Sequence, residues 1–369
     1  MKTKSLLLGS AAALFAVTGA RAADAVIIPE PEAVEYVRVC DAYGTGYFYI
    51  PGSETCMRIS GYVRVDIGFG GLRGSDYDDL DGSDNDTYNV RSRATVNIDT
   101  RRDTEYGTLG TDIELRAQYD TNGDSVGDGN PFYETAHEFE VIQALITLGG
   151  FAVGKTDSTF TTFTGYGGSV IADGDAGGYG PFGTNQMSYT FTSGAFTGVL
   201  ALEQGAGDGH DIDGGDGWLI DSYLPHIVGG VSFDAGMFTI AGVAAYDTTA
   251  DGWAGKVRVD AEITDAFSLF IMPMYAEGET SGGYGSWVTN SADTFSVIGG
   301  GSFDMNDKAT LNAQVQWTEG NGGSDLWAVA ANVNYTVTDG FIVRPEVSWL
   351  RDGNGDSDWG GMIRFQRSY

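Results

Sequence analysis

Basic residues are scarce in this chain of 369 residues: 20 Lys and Arg stand against 51 Asp and Glu, for a net charge of −31. Nucleic-acid binding depends on clusters of Lys and Arg that displace counterions, so the imbalance excludes that class of partner. Histidine is limited to His137, His210 and His226, and none has a Ser or Cys at a suggestive spacing. A hydrolase site is therefore not expected. The sequence is read as that of a non-enzyme that needs no cofactor and no metal. Beyond residue 22 no apolar run approaches the roughly eighteen residues of a membrane-spanning helix. Helical periodicity is almost absent over the same stretch. Two cysteines remain, Cys40 and Cys56. The spacing permits a bridge, and closing a loop of that size is worth about 3 kcal/mol in the chain-entropy picture. A metal site is the weaker reading, because the histidines are scattered and no third ligand lies near.

What is present points outward from the cytoplasm. Lys2 and Lys4, the apolar run "LLLGSAAALFAV" and the Ala20-Arg21-Ala22 site read residues 1–22 as a secretory signal. Its removal leaves 17 of the 20 Lys and Arg against all 51 Asp and Glu, a net charge of −34. Tyr and Phe are abundant at 19 each, and Gly at 56 lacks the period of three that collagen requires. Disordered chains are poor in aromatics, so the acidity does not imply disorder.

Period-two alternation runs through the rest. In "RISGYVRVDIGFG" (58–70), Ile59, Val63, Val65, Ile67 and Phe69 share one face, with Ser60, Tyr62, Arg64 and Asp66 on the other. Comparable strands are expected at 87–99, 105–120, 136–148, 151–157, 185–193, 196–204 and 226–234. Eight more follow at 237–247, 254–264, 267–277, 293–304, 308–319, 325–338, 341–351 and 358–369, making sixteen. Most are longer than the usual globular strand of about six residues and match the nine to eleven or so that a tilted strand needs to cross a bilayer. The connections alternate. Short ones fall at 100–104, 149–150, 194–195, 235–236, 265–266, 305–307 and 339–340, and long, mostly acidic and Gly-rich ones lie between them. Short turns at one rim and long loops at the other define an all-β fold, a 16-stranded antiparallel transmembrane β-barrel over 58–369. A plugged transporter needs about 22 strands and is excluded by length. "GMIRFQRSY" then explains itself: the last strand closes the barrel on the first, because an open edge in lipid leaves backbone groups unsatisfied. Residues 23–57 fit no barrel strand and are left as a segment that is either periplasmic or folded inside the barrel.

The stretch "EYVRVCDAYGTGYFYIPGSETCMRISGYVR" (35–64), the run "ALITLGGFAVGKTDSTFTTF" (144–163) and the ending "GGMIRFQRSY" resemble the alphaproteobacterial trimeric porin family over essentially the whole exported chain. The resemblance implies a homotrimer in the outer membrane of a Gram-negative bacterium, bounded by lipid and lipopolysaccharide and passing small hydrophilic solutes. It implies short periplasmic turns, long outer loops, and a third loop folded into the lumen with acids facing a basic wall. Mapped onto this chain, Arg64, Arg91, Arg93 and Arg116 have lumen-side parity and form the wall. Local pairing of Arg64 with Asp66, or of Arg116 with Glu114, is the competing reading. The loop 158–184 carries Asp173 and Asp175, with Asp157 at its root. Tyr369 stands where typical members end on Phe, the terminal aromatic read by the outer-membrane assembly machinery. A substrate-specific sugar channel of the same fold is the alternative function.

The acidic loops "DYDDLDGSDND" (76–86), "DTNGDSVGDGN" (120–130) and "GDGHDIDGGDG" (207–217) are read as an electrostatic vestibule that concentrates cations. Asp120, Asn122 and Asp124 open like an EF-hand loop, but Ser125 and Pro131 stand where Gly and Glu are required.

Overall fold

The structure, a computed structural model, describes residues 38–78, 84–123, 134–206 and 218–369. The proposed signal, residues 23–37 and most of the three acidic loops just named lie outside the described residues. Sixteen strands form one closed antiparallel barrel. Two short strands are added to it, β1 (Phe48–Tyr49) beside the first stave and β3 (Gly74–Asp78) hairpinned onto the second. The staves open with β2 (Cys56–Phe69), β4 (Asp84–Thr104), β5 (Gly107–Gly123), β6 (Glu134–Leu148) and β7 (Phe151–Asp157). They continue through β8 (Gly183–Ser193), β9 (Phe196–Glu203), β10 (His226–Asp234), β11 (Phe238–Asp247), β12 (Gly252–Thr264) and β13 (Phe267–Ala276). The last five are β14 (Thr294–Asn306), β15 (Ala309–Thr318), β16 (Leu326–Thr338), β17 (Phe341–Arg351) and β18 (Ser357–Ser368).

All sixteen expected strands are present, most within two residues of the expected bounds. The turn expected at 100–104 is a correction. There β4 and β5 remain paired to Thr104↔Gly107, and the chain reverses at Glu105 and Tyr106. Alternation failed as a guide because both faces turn polar beyond the membrane. Thr100 and Thr111 share a hydrogen bond at 2.6 Å, and Arg101 pairs with Asp112, so the hairpin is held by side chains instead of by an apolar face.

The exposure pattern is the inverse of a soluble sheet. On β17, Val347 is 53 % exposed while its neighbour Glu346 is 4 % exposed. On β15, Leu311 and Val315 are exposed while Asn312, Gln314 and Gln316 are buried. Apolar side chains therefore form the outer wall and polar ones the inner, the arrangement that lipid outside and water inside require. Closure is complete to the final residue. β18 pairs with β2 from Gly361↔Phe69 to Ser368↔Tyr62, and Tyr369 exchanges backbone bonds with Gly61 at 3.0 and 3.1 Å.

At the short-turn end, Cys40 and Cys56 are joined in a disulfide with their Cα atoms 6.1 Å apart. The bridge ties residues 40–55 to the first residue of β2. Tyr47 is buried beside both cysteines, and Arg58 lies over its ring at 5.0 Å.

Candidate functional site: the lumen and its constricting loop

The loop between β7 and β8 begins with a single helical turn, α1 (Thr159–Thr162). Ser158 caps it, accepting from the Phe160 N–H at 3.1 Å, and Glu203 of β9 accepts from the Ser158 hydroxyl and the Thr159 N–H, each at 2.7 Å. From there residues 163–182 lie against the inner wall of β12 and β15–β17. Glu346 accepts from the Ile171 and Ala172 N–H groups at 2.5 and 2.8 Å, and from Asn332 Nδ2 at 2.8 Å. Gln314 and Gln316 donate to the carbonyls of Asp173 and Gly178, both at 2.8 Å, and Thr318 donates to that of Ala176 at 2.7 Å. Lys256 donates to the Tyr179 carbonyl at 2.6 Å and lies 4.7 Å from the centre of the Phe160 ring. Phe160 in turn packs on Tyr284 and Trp287 of the 277–293 loop, with ring centres 5.4 and 6.3 Å away. One side of the lumen is thus filled by a buried core.

The other side stays open as a cavity of about 930 Å³. Its wall supplies Arg64 of β2, Glu114 and Arg116 of β5, Glu140 of β6, and Lys155 and Asp157 of β7. Its loop side supplies Tyr166, Asp173, Asp175 and Tyr179. Five of the seven candidate pore residues, Arg64, Arg116, Asp157, Asp173 and Asp175, therefore share one cavity. Arg91 and Arg93 do not line it. Arg91 holds Asp120 at 2.6 Å, and Arg93 is buried with its Nε donating to Gln118 at 2.9 Å. The local pairings are present as well: Arg64 lies 3.5 Å from Asp66, and Arg116 lies 3.3 Å from Glu114.

Sequence reasoning missed Arg73, which lines the cavity from the first long loop and pairs with Asp175, a contact between two loops with no periodic signal. It also left Lys155 unplaced, because parity at a strand end is ambiguous; its ammonium donates to Glu140 at 2.8 Å. Asp157 accepts from the Tyr166 hydroxyl at 2.6 Å and Asp173 from that of Tyr179 at 2.7 Å. Burial and these carboxylates push both phenols well above their ordinary range, so both remain donors at physiological pH.

Asp173 is itself pushed up to about 6 by burial, against the opposing hydrogen bond from Tyr179. Its charge is therefore present above that pH and lost below it. Lowering the pH from about 7.5 to about 5 is expected to move the reversal potential under a KCl gradient toward anions, since an acid in that range loses most of its charge. Asp173→Asn should remove that pH-dependent component. A variant with the same pH profile as the parent would show that Asp173 does not act on permeating ions.

A closed sixteen-stranded barrel with an apolar exterior and a charged, partly obstructed lumen defines a channel of the outer membrane of Gram-negative bacteria. Residues 24–365 match the porin subfamily, and the chain belongs to that family. It is 45 % identical over 394 aligned positions to porin Omp2a of Brucella melitensis biotype 1, and 46 % identical over 381 to porin Omp2b of Brucella neotomae, in each case covering all of both chains. Two solved structures share the fold at low identity. The outer membrane channel DcaP of Acinetobacter baumannii matches with a TM-score of 0.63 at 17 % identity, over 87 % of this chain and 99 % of that one. The anion-selective porin from Comamonas acidovorans matches with a TM-score of 0.56 at 13 % identity, over 86 % and 100 %.

Proposed function

We propose that the protein is a general diffusion pore for small hydrophilic solutes and ions, mildly cation-selective, with Arg64 and Arg116 facing Asp157, Asp173 and Asp175 across the constriction. The observation that carries this reading is the cavity beside the 158–182 loop, where guanidinium groups on the wall oppose carboxylates on the loop. Two electrostatic contributions oppose each other. The arginines attract anions at the narrowest part, whereas the net acidity of the chain attracts cations to the entrance. The entrance acts at longer range and is screened first: the Debye length falls from about 30 Å at 0.01 M to about 3 Å at 1 M salt.

Reversal potentials in planar bilayers are therefore expected to show cation preference that weakens as KCl rises through that range. Anion preference at the dilute end would mean that the arginine wall controls permeation. A saturable block by a neutral sugar would favour the substrate-specific alternative.

Assembly as a homotrimer is part of the same proposal, with conductance closing in three steps. The placement of tryptophan supports it. All of the outward-facing tryptophans, Trp253, Trp317, Trp327, Trp349 and Trp359, lie on β12–β18, and β2–β9 carry none. Tryptophan prefers the lipid–water interface. A wall without it suits contact with other copies. The disulfide-closed segment at the short-turn rim lies, on this reading, on the periplasmic side.

A further inference from the structure

One side chain of the constricting loop is held in the lumen from three directions. Early in its course the loop runs Gly165-Tyr166-Gly167-Gly168, and only Tyr166 carries a side chain there. Gly165 has φ +82°, in the left-handed region that favours glycine. A Cβ on Gly168 would lie 2.7 Å from Gln314 Oε1, which accepts from the Gly168 N–H. The backbone therefore presses against β15, and Tyr166 is what it presents to the lumen. Tyr166 is 44 % exposed and lines the cavity.

Its hydroxyl is tied to the root of the loop by the hydrogen bond to Asp157. Its ring lies nearly parallel to that of Phe182 at the other end of the loop, with centres 6.2 Å apart and planes at 12°. Phe182 in turn meets Tyr179 at 5.9 Å. The third restraint comes from β12, where Arg258 donates to the carbonyls of Tyr166 and Gly167, the latter at 3.3 Å. Arg258 is itself fixed. Asp260 accepts from its Nε at 2.9 Å and its Nη2 at 2.8 Å, and its guanidinium carbon lies 4.1 Å from the centre of the Phe270 ring. It stands outside the cavity and acts through the loop. On the opposite wall, Glu114 and Arg116 of β5 are close enough to act electrostatically on the Tyr166 hydroxyl. The phenol thus occupies the gap between loop and wall.

We propose that Tyr166 selects among neutral solutes at the constriction, retaining those that carry a flat aromatic ring, and that Arg258 is the residue that positions it. Aromatic rings in offset or edge-to-face contact attract one another beyond the area they bury. Because the phenol is already ordered by its three restraints, little freedom is lost when a solute meets it. The proposal rests on reading the protein as an open pore, and it adds a solute preference to passive diffusion.

The test is single-channel recording of the full chain in planar bilayers, titrated with phenyl β-glucoside and, separately, methyl β-glucoside. The phenyl compound should reduce the ion current saturably, and the methyl compound at the same concentrations should not. Tyr166→Ala should raise the half-blocking concentration about two- to tenfold, the worth of one aromatic contact. Tyr166→Phe keeps the ring and should stay near the parent. Arg258→Ala leaves the ring intact yet should weaken block toward the level of Tyr166→Ala. Arg258→Lys keeps a cationic donor for the two carbonyls and should recover part of the loss. Heat-modifiable gel mobility checks that each variant is folded. A conducting parent that phenyl β-glucoside does not block, or folded Tyr166→Ala channels blocked as well as the parent, would overturn this proposal alone. Equal block by both glucosides would overturn it in favour of the sugar-specific channel. Absence of any ion current would overturn the pore reading together with it.

Discussion

Replacing Glu346 with alanine is expected to release the inner arm of the constricting loop and give a larger, noisier single-channel conductance. The carboxylate is buried on β17 and accepts two backbone N–H groups of the loop, from Ile171 and Ala172. Hydrogen bonds to a charged group contribute about 1.5–3 kcal/mol each, and the truncated site would leave two donors without an acceptor. A change of even 1.4 kcal/mol shifts the population of a displaced arm about tenfold. The rest of the loop should hold, because Gln314, Gln316, Thr318 and Lys256 bind residues 173–179 independently. Glu346→Gln keeps one good acceptor and should fall between the parent and alanine. Liposome swelling with sugars of increasing size gives a second readout, with the exclusion limit rising in the same order. Unchanged conductance in Glu346→Ala would show that the other anchors suffice and that Glu346 does not position the constriction.

The second large effect is expected at the seam. Asp66 of β2 holds Arg364 of β18 in a two-pronged contact, and it is the acid nearest to Arg64. Asp66→Asn would leave two largely buried guanidinium groups side by side on the strands that close the barrel. Removing one partner of a buried ion pair typically costs about 3–5 kcal/mol; because water fills part of this lumen, the lower end is expected here. The folded form should lose its heat-modifiable gel mobility at a lower temperature than the parent. Pairing Asp66→Asn with Arg364→Gln removes one of the two uncompensated charges and the repulsion between them, and should restore part of the difference. Equal melting of the parent and Asp66→Asn would mean that the backbone ladder alone fixes the seam.

The division between sequence and tertiary structure follows from the physics of each signal. A strand that separates lipid from water must alternate, so strand number, span and facing were legible wherever one face was apolar. "KATLNAQVQWTE" declared Leu311 and Val315 outward and Gln314 and Gln316 inward, as the exposures show. The closing role of "GMIRFQRSY" was legible for the same reason, because an unpaired edge in lipid is too costly to leave. Alternation stops carrying information where both faces are polar, which is why the β4–β5 hairpin ran past its expected turn and β3 went unanticipated. Parity also gives a side of the wall without a height or a partner. It put Arg91 and Arg93 in the same class as Arg64 and Arg116, and only the register and the path of the loop separated them. The contacts that shape the lumen join residues far apart in sequence, such as Arg73 with Asp175 and Ile171 with Glu346. They depend on how the barrel closes and on which wall the loop finds. No local pattern encodes that choice; it was made by the buried carboxylate and amides of β15–β17, which supply the hydrogen-bond partners that the loop backbone needs once it leaves water.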